Sequence, residues 1–224
     1  MKEAVCVFVK NPVPGKVKTR LAEGVGNEKA AGIYRIMASE AIAVAEKSGA
    51  DTMIFVSPVD EIDDAKNSLG LEGKKVLPQE GEDLGIRMLK AFETVFEMGY
   101  DRAVLIGTDI PSIDYLMLRE ALDSLHTSSA VIGPADDGGY YLIGFKKDTL
   151  SEKAFLDMTW SHSEVTGNTV ARLEEEGYEY FVLPELIDID DYDDLKRYME
   201  EEGINSEMVE AFKGVMENGD GTKV

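Results

Sequence analysis

Apolar positions along the chain follow two alternating rhythms. Ala4 to Val9 is an unbroken apolar run, the pattern of a strand covered on both faces within a parallel sheet. Asn27 is placed to cap a long helix in which Ile33, Ile36, Met37, Ala41, Val44 and Ala45 recur at helical spacing until Gly49 stops it. The alternation then repeats: a strand Thr52 to Val56, a polar helix Val59 to Leu69, a short strand Lys75 to Leu77, and a helix Asp83 to Met98 capped by Asp83. A fourth strand, Ala103 to Ile106, runs into Gly107-Thr108-Asp109, and a helix follows from Asp114 to His126. Strands Ala130 to Ile132 and Tyr140 to Phe145 flank a wide glycine-rich turn. A helix Glu164 to Glu176, a strand Tyr178 to Leu183, a helix Tyr192 to Glu201 and a C-terminal helix complete the pattern. Alternating strands and helices predict a mostly parallel sheet covered by helices, with ligands bound beyond the carboxyl ends of the strands.

Composition narrows this picture. With 224 residues, 44% of them hydrophobic, the expectation is one domain over residues 1–217, with 218–224 as a flexible tail. A net charge of −21 excludes a general nucleic-acid or anionic-membrane binder, because the long-range field repels polyphosphate. The single cysteine, Cys6, lies in an apolar run, so neither a disulfide framework nor a cysteine-based zinc site is expected. No signal segment or membrane-length apolar stretch is read in the sequence, and a cytoplasmic location is expected.

Charge is distributed unevenly, and the exception marks the chemistry. Between Ala4 and Ala22 there is no acidic residue, whereas Lys10, Lys16, Lys18 and Arg20 are all basic. Gly15 in the same loop allows backbone N–H groups to approach an anion. A basic run is usually a solvated surface; at the carboxyl end of the first strand of an acidic α/β chain it points to a phosphate site. The loop matches neither a P-loop nor a dinucleotide-binding fingerprint, since Lys29 stands where the third glycine of the latter belongs.

Two acidic motifs complete the candidate set. Asp109, at the end of a central strand and followed by Pro111, is placed to hold a divalent cation against a diphosphate, although an aspartate there also suits a turn. In Asp188-Ile189-Asp190, alternation puts both carboxylates on one face, so either can serve as a second metal ligand or as a solvated turn residue. Asp191, Asp193 and Asp194 suit the first turn of the following helix. Gly138-Gly139 reads equally as a backbone that closes over a ligand and as a turn needing positive φ. Trp160 reads as packing or as a stacking platform, and His126 as the C-terminal residue of its helix.

Taken in order, Lys18-Thr19-Arg20-Leu21, Gln79 to Met88, Gly107 to Pro111, Pro134 to Gly144 and Asp188 to Asp190 resemble the GT-A-like "transferase 1" family of predicted glycosyltransferases, over residues 3 to about 198. More distantly the chain resembles the 2-phospholactate guanylyltransferases and molybdenum-cofactor nucleotidyltransferases. The resemblance implies an α/β GT-A, or nucleotide-diphospho-sugar transferase, fold with a Rossmann-like sheet. It also implies a nucleoside triphosphate or nucleotide-sugar donor, a small-molecule acceptor, and Mg²⁺ or Mn²⁺. By position, Lys10, Gly15, Lys18, Thr19 and Arg20 would meet donor phosphates, and Gln79, Leu84 and Gly85 the nucleoside. Asp109 would hold the metal with Asp188 or Asp190, Gly138 and Gly139 would close over the acceptor, and Asp137 would act as base or substrate ligand. Arg20, Asp109 and Asp137 form the expected catalytic set. Nucleotidyl transfer is slightly preferred over glycosyl transfer, because one aspartate ends the fourth strand where glycosyltransferases commonly carry an Asp-x-Asp pair. A non-catalytic nucleotide-binding subunit is the competing class.

Overall fold

The computed structural model describes residues 1–160, 163–200 and 206–218. Seven strands form one sheet: β1 (Glu3–Lys10), β2 (Asp51–Ser57), β3 (Val76–Pro78), β4 (Arg102–Ile106), β5 (Ala130–Pro134), β6 (Tyr140–Lys146) and β7 (Tyr180–Val182). Their order across the sheet is β3-β2-β1-β4-β6-β5-β7. All neighbouring pairs are parallel except those made by β6, which runs antiparallel to both β4 and β5. The helices are α1 (Thr19–Val25), α2 (Asn27–Lys47), α3 (Ile62–Leu69), α4 (Leu84–Glu97), α5 (Tyr115–Ser124), α6 (Val165–Glu175), α7 (Tyr192–Glu200) and α8 (Ser206–Asn218). None of the described helices is long and apolar enough to cross a membrane.

The apolar run of β1 is buried on both faces, as its composition requires. Val5, Val7 and Val9 face one layer with Ala41, Val44, Leu118 and Leu122, while Ala4, Cys6 and Phe8 face the other with Phe92, Val95 and Phe155. The caps are made as the sequence indicates: Asp83 accepts a hydrogen bond from the Ile86 N–H and Asp114 from the Met117 N–H, each at 2.8 Å.

Two local expectations are corrected. The long helix is capped by Gly26 at φ 86°, with Asn27 already its first helical residue. Ahead of it stands α1, which the basic loop did not announce. Gly24 belongs inside α1 because a β-carbon there would lie 2.6 Å from the Tyr192 Cβ, so α1 packs backbone-close against α7. The unassigned His162 and all but Asn218 of the expected tail lie outside the described residues.

A third apolar cluster lies beside the sheet and positions the site. Val17 and Leu21, flanking Lys18 and Arg20, pack with Ile33, Tyr34 and Met37 of α2, with Ile189, and with Leu195, Tyr198 and Phe212 of α7 and α8. Burying Leu21 and Ile189 completely stabilises by about 2 kcal/mol each. Each buried side chain turns its charged neighbours the opposite way, toward the carboxyl ends of β1 and β4.

Candidate active site

The loop after β1 is a compact turn. Gly15 adopts φ 78°, and Lys18, at the N-cap of α1, adopts the left-handed region at φ 46°, rare for a residue with a β-carbon. Buried anchors on either side hold it there, and the result is a lysine whose side chain is only 5% exposed. Its Nζ lies 2.6 Å from Asp109 Oδ1 and 2.9 Å from Asp190 Oδ1. Burial favours the neutral amine, but the two carboxylates outweigh it and raise the Lys18 pKa above the ordinary lysine value. Arg20 pairs with the second oxygen of Asp190. Burial of Asp190 is likewise overcome by Lys18 and Arg20, which hold its carboxyl below the usual range.

The acidic partners converge from three elements. After β7 the chain runs beside β5, with the Leu186 N–H donating to the Pro134 carbonyl and the Asp136 N–H to the Leu186 carbonyl, both at 3.1 Å. It then crosses to β4, where the Ile189 N–H donates to the Asp109 carbonyl at 2.9 Å. Asp188 and Asp190 are thereby set beside Asp109 and the Asp136-Asp137 turn. Burial, then repulsion from Asp137 and Asp190 and a hydrogen bond shared with Asp136, push the Asp188 pKa up to about 7. Burial of Asp136 is outweighed by Arg197 of α7, which pairs with it and holds its carboxyl low. Of the aspartates that follow, Asp191 accepts from the Asp193 and Asp194 N–H groups, and Asp194 reaches back to the N–H groups of Asp190 and Asp191.

The expected metal set rests in a different arrangement. Asp109 and Asp190 share an ammonium, and the carboxylate oxygens of Asp109, Asp188 and Asp190 do not all gather within 4.8 Å. Among the described residues the acidic and histidine group that does is Glu3, Asp123 and His126, at the opposite end of the sheet. There Arg119 bridges Glu3 and Asp123 at 2.7 Å each, and Arg102 pairs with Glu3 at the same distance. The donor set at the strand ends still fits a hard divalent cation. It is all carboxylate oxygen, and its mutual repulsion leaves Asp188 short of compensating positive charge.

The other expected residues fall around this centre. Lys10 is exposed, and its backbone N–H donates to the Tyr34 hydroxyl at 2.7 Å. Thr19 is exposed at the start of α1, and Lys16 reaches away to Glu61. Gln79 is buried, its amide donating to the Val9 and Phe55 carbonyls at 3.1 and 2.9 Å, so it ties the ends of β1 and β2 together. Leu84 is exposed. A β-carbon on Gly85 would sit 2.3 Å from the Phe155 carbonyl and 2.6 Å from the Trp160 ring, which gives that glycine a packing reason. Trp160 stands edge-on to Tyr140, and its indole N–H has no partner among the described residues. Gly138 has φ 89° and lies against the Ser163 backbone, where any β-carbon would collide; the Gly139 N–H donates to Asp137 at 2.7 Å. The Gly138-Gly139 turn is thus required by conformation and by close approach together.

Three contributors have no signal in local sequence. Tyr34 receives hydrogen bonds from the loop at Lys10 and from Thr108 beside Asp109, and burial raises its pKa to about 12. Asp136 and Arg197 pair across 61 positions.

The family model described as "Uncharacterized protein conserved in bacteria (DUF2064)" matches residues 40–162. The chain belongs to this family. The matched span holds Asp109 and the Asp136-Asp137 turn of the DUF2064 chain, while Lys18, Arg20, Asp188 and Asp190 lie outside it. A protein from Desulfovibrio desulfuricans G20, provisionally named a nucleotide-diphospho-sugar transferase, spans these as well. It is 35% identical, with 98% of this chain and 99% of that one covered at a TM-score of 0.87. A cytidylyltransferase from Leptospira borgpetersenii serovar Hardjo-bovis (strain JB197) is 14% identical, covering 97% of this chain and 98% of its own at a TM-score of 0.57. A Mycobacterium tuberculosis H37Rv protein in complex with manganese is 15% identical, covering 88% and 97% at a TM-score of 0.53. At those identities the last two share the fold alone: that of the nucleotide-diphospho-sugar transferases, as the sequence predicts. No match to a curated protein is found.

Proposed function

We propose that this chain is a cytoplasmic transferase that takes a nucleoside triphosphate with Mg²⁺ or Mn²⁺ and transfers the nucleotidyl group to a small phosphorylated acceptor. The observation that carries this reading is the single network Asp109–Lys18–Asp190–Arg20, in which basic groups of the first loop and the carboxylate at the end of β4 meet at the carboxyl ends of the strands. The cation would be held by Asp109 with Asp190 or Asp188, and when bound it neutralises charge on the donor phosphates. Lys18 and Arg20 supply the positive charge that binds and orients those phosphates, Arg20 through a guanidinium able to grip two oxygens. Tyr34 and Gln79 keep the ends of β1, β2 and β4 in register, so these groups are positioned before substrate arrives. Asp137, exposed at its turn, would serve as a ligand for the acceptor or as its base. The naming of the 35% identical relative supports a second reading, sugar transfer from a nucleotide-diphospho-sugar.

The experiment that tests the proposal incubates the protein with each nucleoside triphosphate and nucleotide sugar, with Mg²⁺ or Mn²⁺, and monitors thermal shift and pyrophosphate release. Pyrophosphate release with a phosphorylated acceptor supports nucleotidyl transfer, and nucleoside diphosphate release supports sugar transfer. Stabilisation by nucleotide without turnover on any acceptor favours a non-catalytic binding subunit. No stabilisation by any nucleotide sinks the proposal.

A further inference from the structure

Lys18 stands where a metal ligand set would be expected to stay open. Its Nζ takes one oxygen from Asp109 at 2.6 Å and one from Asp190 at 2.9 Å, and the remaining oxygen of Asp190 belongs to Arg20. The two carboxylates are therefore matched, charge for charge, by two internal cations. A surface lysine could swing aside at little cost, but this one is buried, set in a left-handed backbone and anchored by Val17 and Leu21. Mg²⁺ binds carboxylate oxygens at roughly 2.0–2.1 Å, and the ammonium in contact with both carboxylates occupies the position between them that a bridging cation would take. A cation that bridges the pair enters as the ammonium leaves.

We propose that Lys18 is a displaceable internal counterion, which holds the Asp109–Asp190 pair in the ligand-free protein and yields it to a divalent cation only when a polyphosphate arrives to receive the ammonium. This rests on the reading of Asp109 as a metal ligand and adds to it the control of entry. Metal alone meets a neutralised pair and binds weakly. Polyphosphate alone meets a lysine already engaged and also binds weakly. Together each relieves the cost of the other, and by linkage the enhancement is the same in both directions. The device keeps the site from holding a bare metal ion between turnovers.

The test is titration of the full chain with Mn²⁺ alone, followed by the free-ion paramagnetic resonance signal and by calorimetry. Lys18→Met, nearly isosteric and uncharged, is expected to bind Mn²⁺ at least tenfold more tightly than wild type, and Lys18→Gln to behave alike. The double variant Lys18→Met/Asp109→Asn loses the gain. Lys16→Met removes the same charge from the same loop at a side chain engaged by Glu61, and leaves Mn²⁺ affinity within about twofold. An equal gain from Lys16→Met would reduce the effect to net charge and overturn the proposal. If wild type and both Lys18 variants bind Mn²⁺ equally and Asp109→Asn abolishes that binding, displacement is wrong while the metal reading stands. Should neither wild type nor the Lys18 variants bind Mn²⁺ at all, with or without nucleotide, both fall. A further arm needs no variant: wild type should bind inorganic tripolyphosphate at least tenfold more tightly as its Mn²⁺ complex than in the presence of EDTA, and equal affinities overturn the proposal even if every Lys18 variant misfolds.

Discussion

The two ends of the sheet carry ion-pair clusters built from the same kinds of side chain and differ in charge balance. At the amino end, Glu3 and Asp123 are met by Arg102 and Arg119, two acids against two bases, and Arg102 also donates to the Leu122 carbonyl at 2.9 Å. At the carboxyl end, Asp109, Asp136, Asp137, Asp188 and Asp190 face Lys18, Arg20 and Arg197, five acids against three bases. The first cluster is balanced in charge and ties β1, β4 and α5 together. The second holds more acids than bases, with Arg20 and Arg197 exposed beside them, a balance suited to a ligand that brings both a cation and an anion. Carboxylate clusters alone do not distinguish structure from function; the balance of charge around them does.

The sharpest way to break this contrast is at Asp109. Asp109→Asn should lower turnover by about 10²–10³-fold on whichever nucleotide the screen identifies, with the melting temperature little changed. Arg102→Met should do the reverse. It removes one of the two guanidiniums on the largely buried Glu3 carboxylate together with the donor to the Leu122 carbonyl, and lowers stability by about 2 kcal/mol in urea melts, while leaving kcat intact. If Arg102→Met cost activity and not stability, the amino-end cluster would have to be reconsidered as functional. Arg20→Ala should weaken triphosphate binding about tenfold in calorimetry and leave nucleoside binding unaffected. An equal loss for both would remove the phosphate role.

The smallest effect is a pH dependence. Asp188 has its folded pKa near 7 against the ordinary aspartate value of 3.8, so the native state binds the extra proton between these values. Its contribution is therefore a penalty that grows as pH rises from about 4 to 7 and is complete above 7. Discounted for partial exposure, Asp188→Asn should raise stability by about 1 kcal/mol at pH 8, with no difference at pH 3.5. Thermal melts of the ligand-free protein across this range check the sign.

Much of the scaffold was legible because local chemistry decided it. The run Ala4 to Val9 has no polar face to expose, Asp83 and Asp114 precede helical periods, and Ile189 between two aspartates can be buried only by turning both to one side. What was hidden depends on distance or on direction. Apolar alternation reports that β6 is a strand but not that it runs against β4, although the short connection from β5 leaves no room for a parallel crossover. The basic loop concealed α1, whose Gly24 has its reason in the distant Tyr192 side chain packed against it. In the candidate site, the type of each group was visible and its resting partner was not. Lys18 reads as a phosphate-binding cation, but its burial against Asp109 and Asp190 comes from groups 91 and 172 positions away.

Leu21, next to Arg20, and Ile189, next to Asp190, belong to the same apolar cluster as Ile33, Tyr34 and Met37 of α2, with Phe212 edge-on to Tyr198 in it. Cation-bearing loop and anion-bearing ribbon are thus cargo on one carrier. Close-packed interiors transmit displacement as a body, so a substitution that shifts this cluster would move Lys18 and Asp190 together.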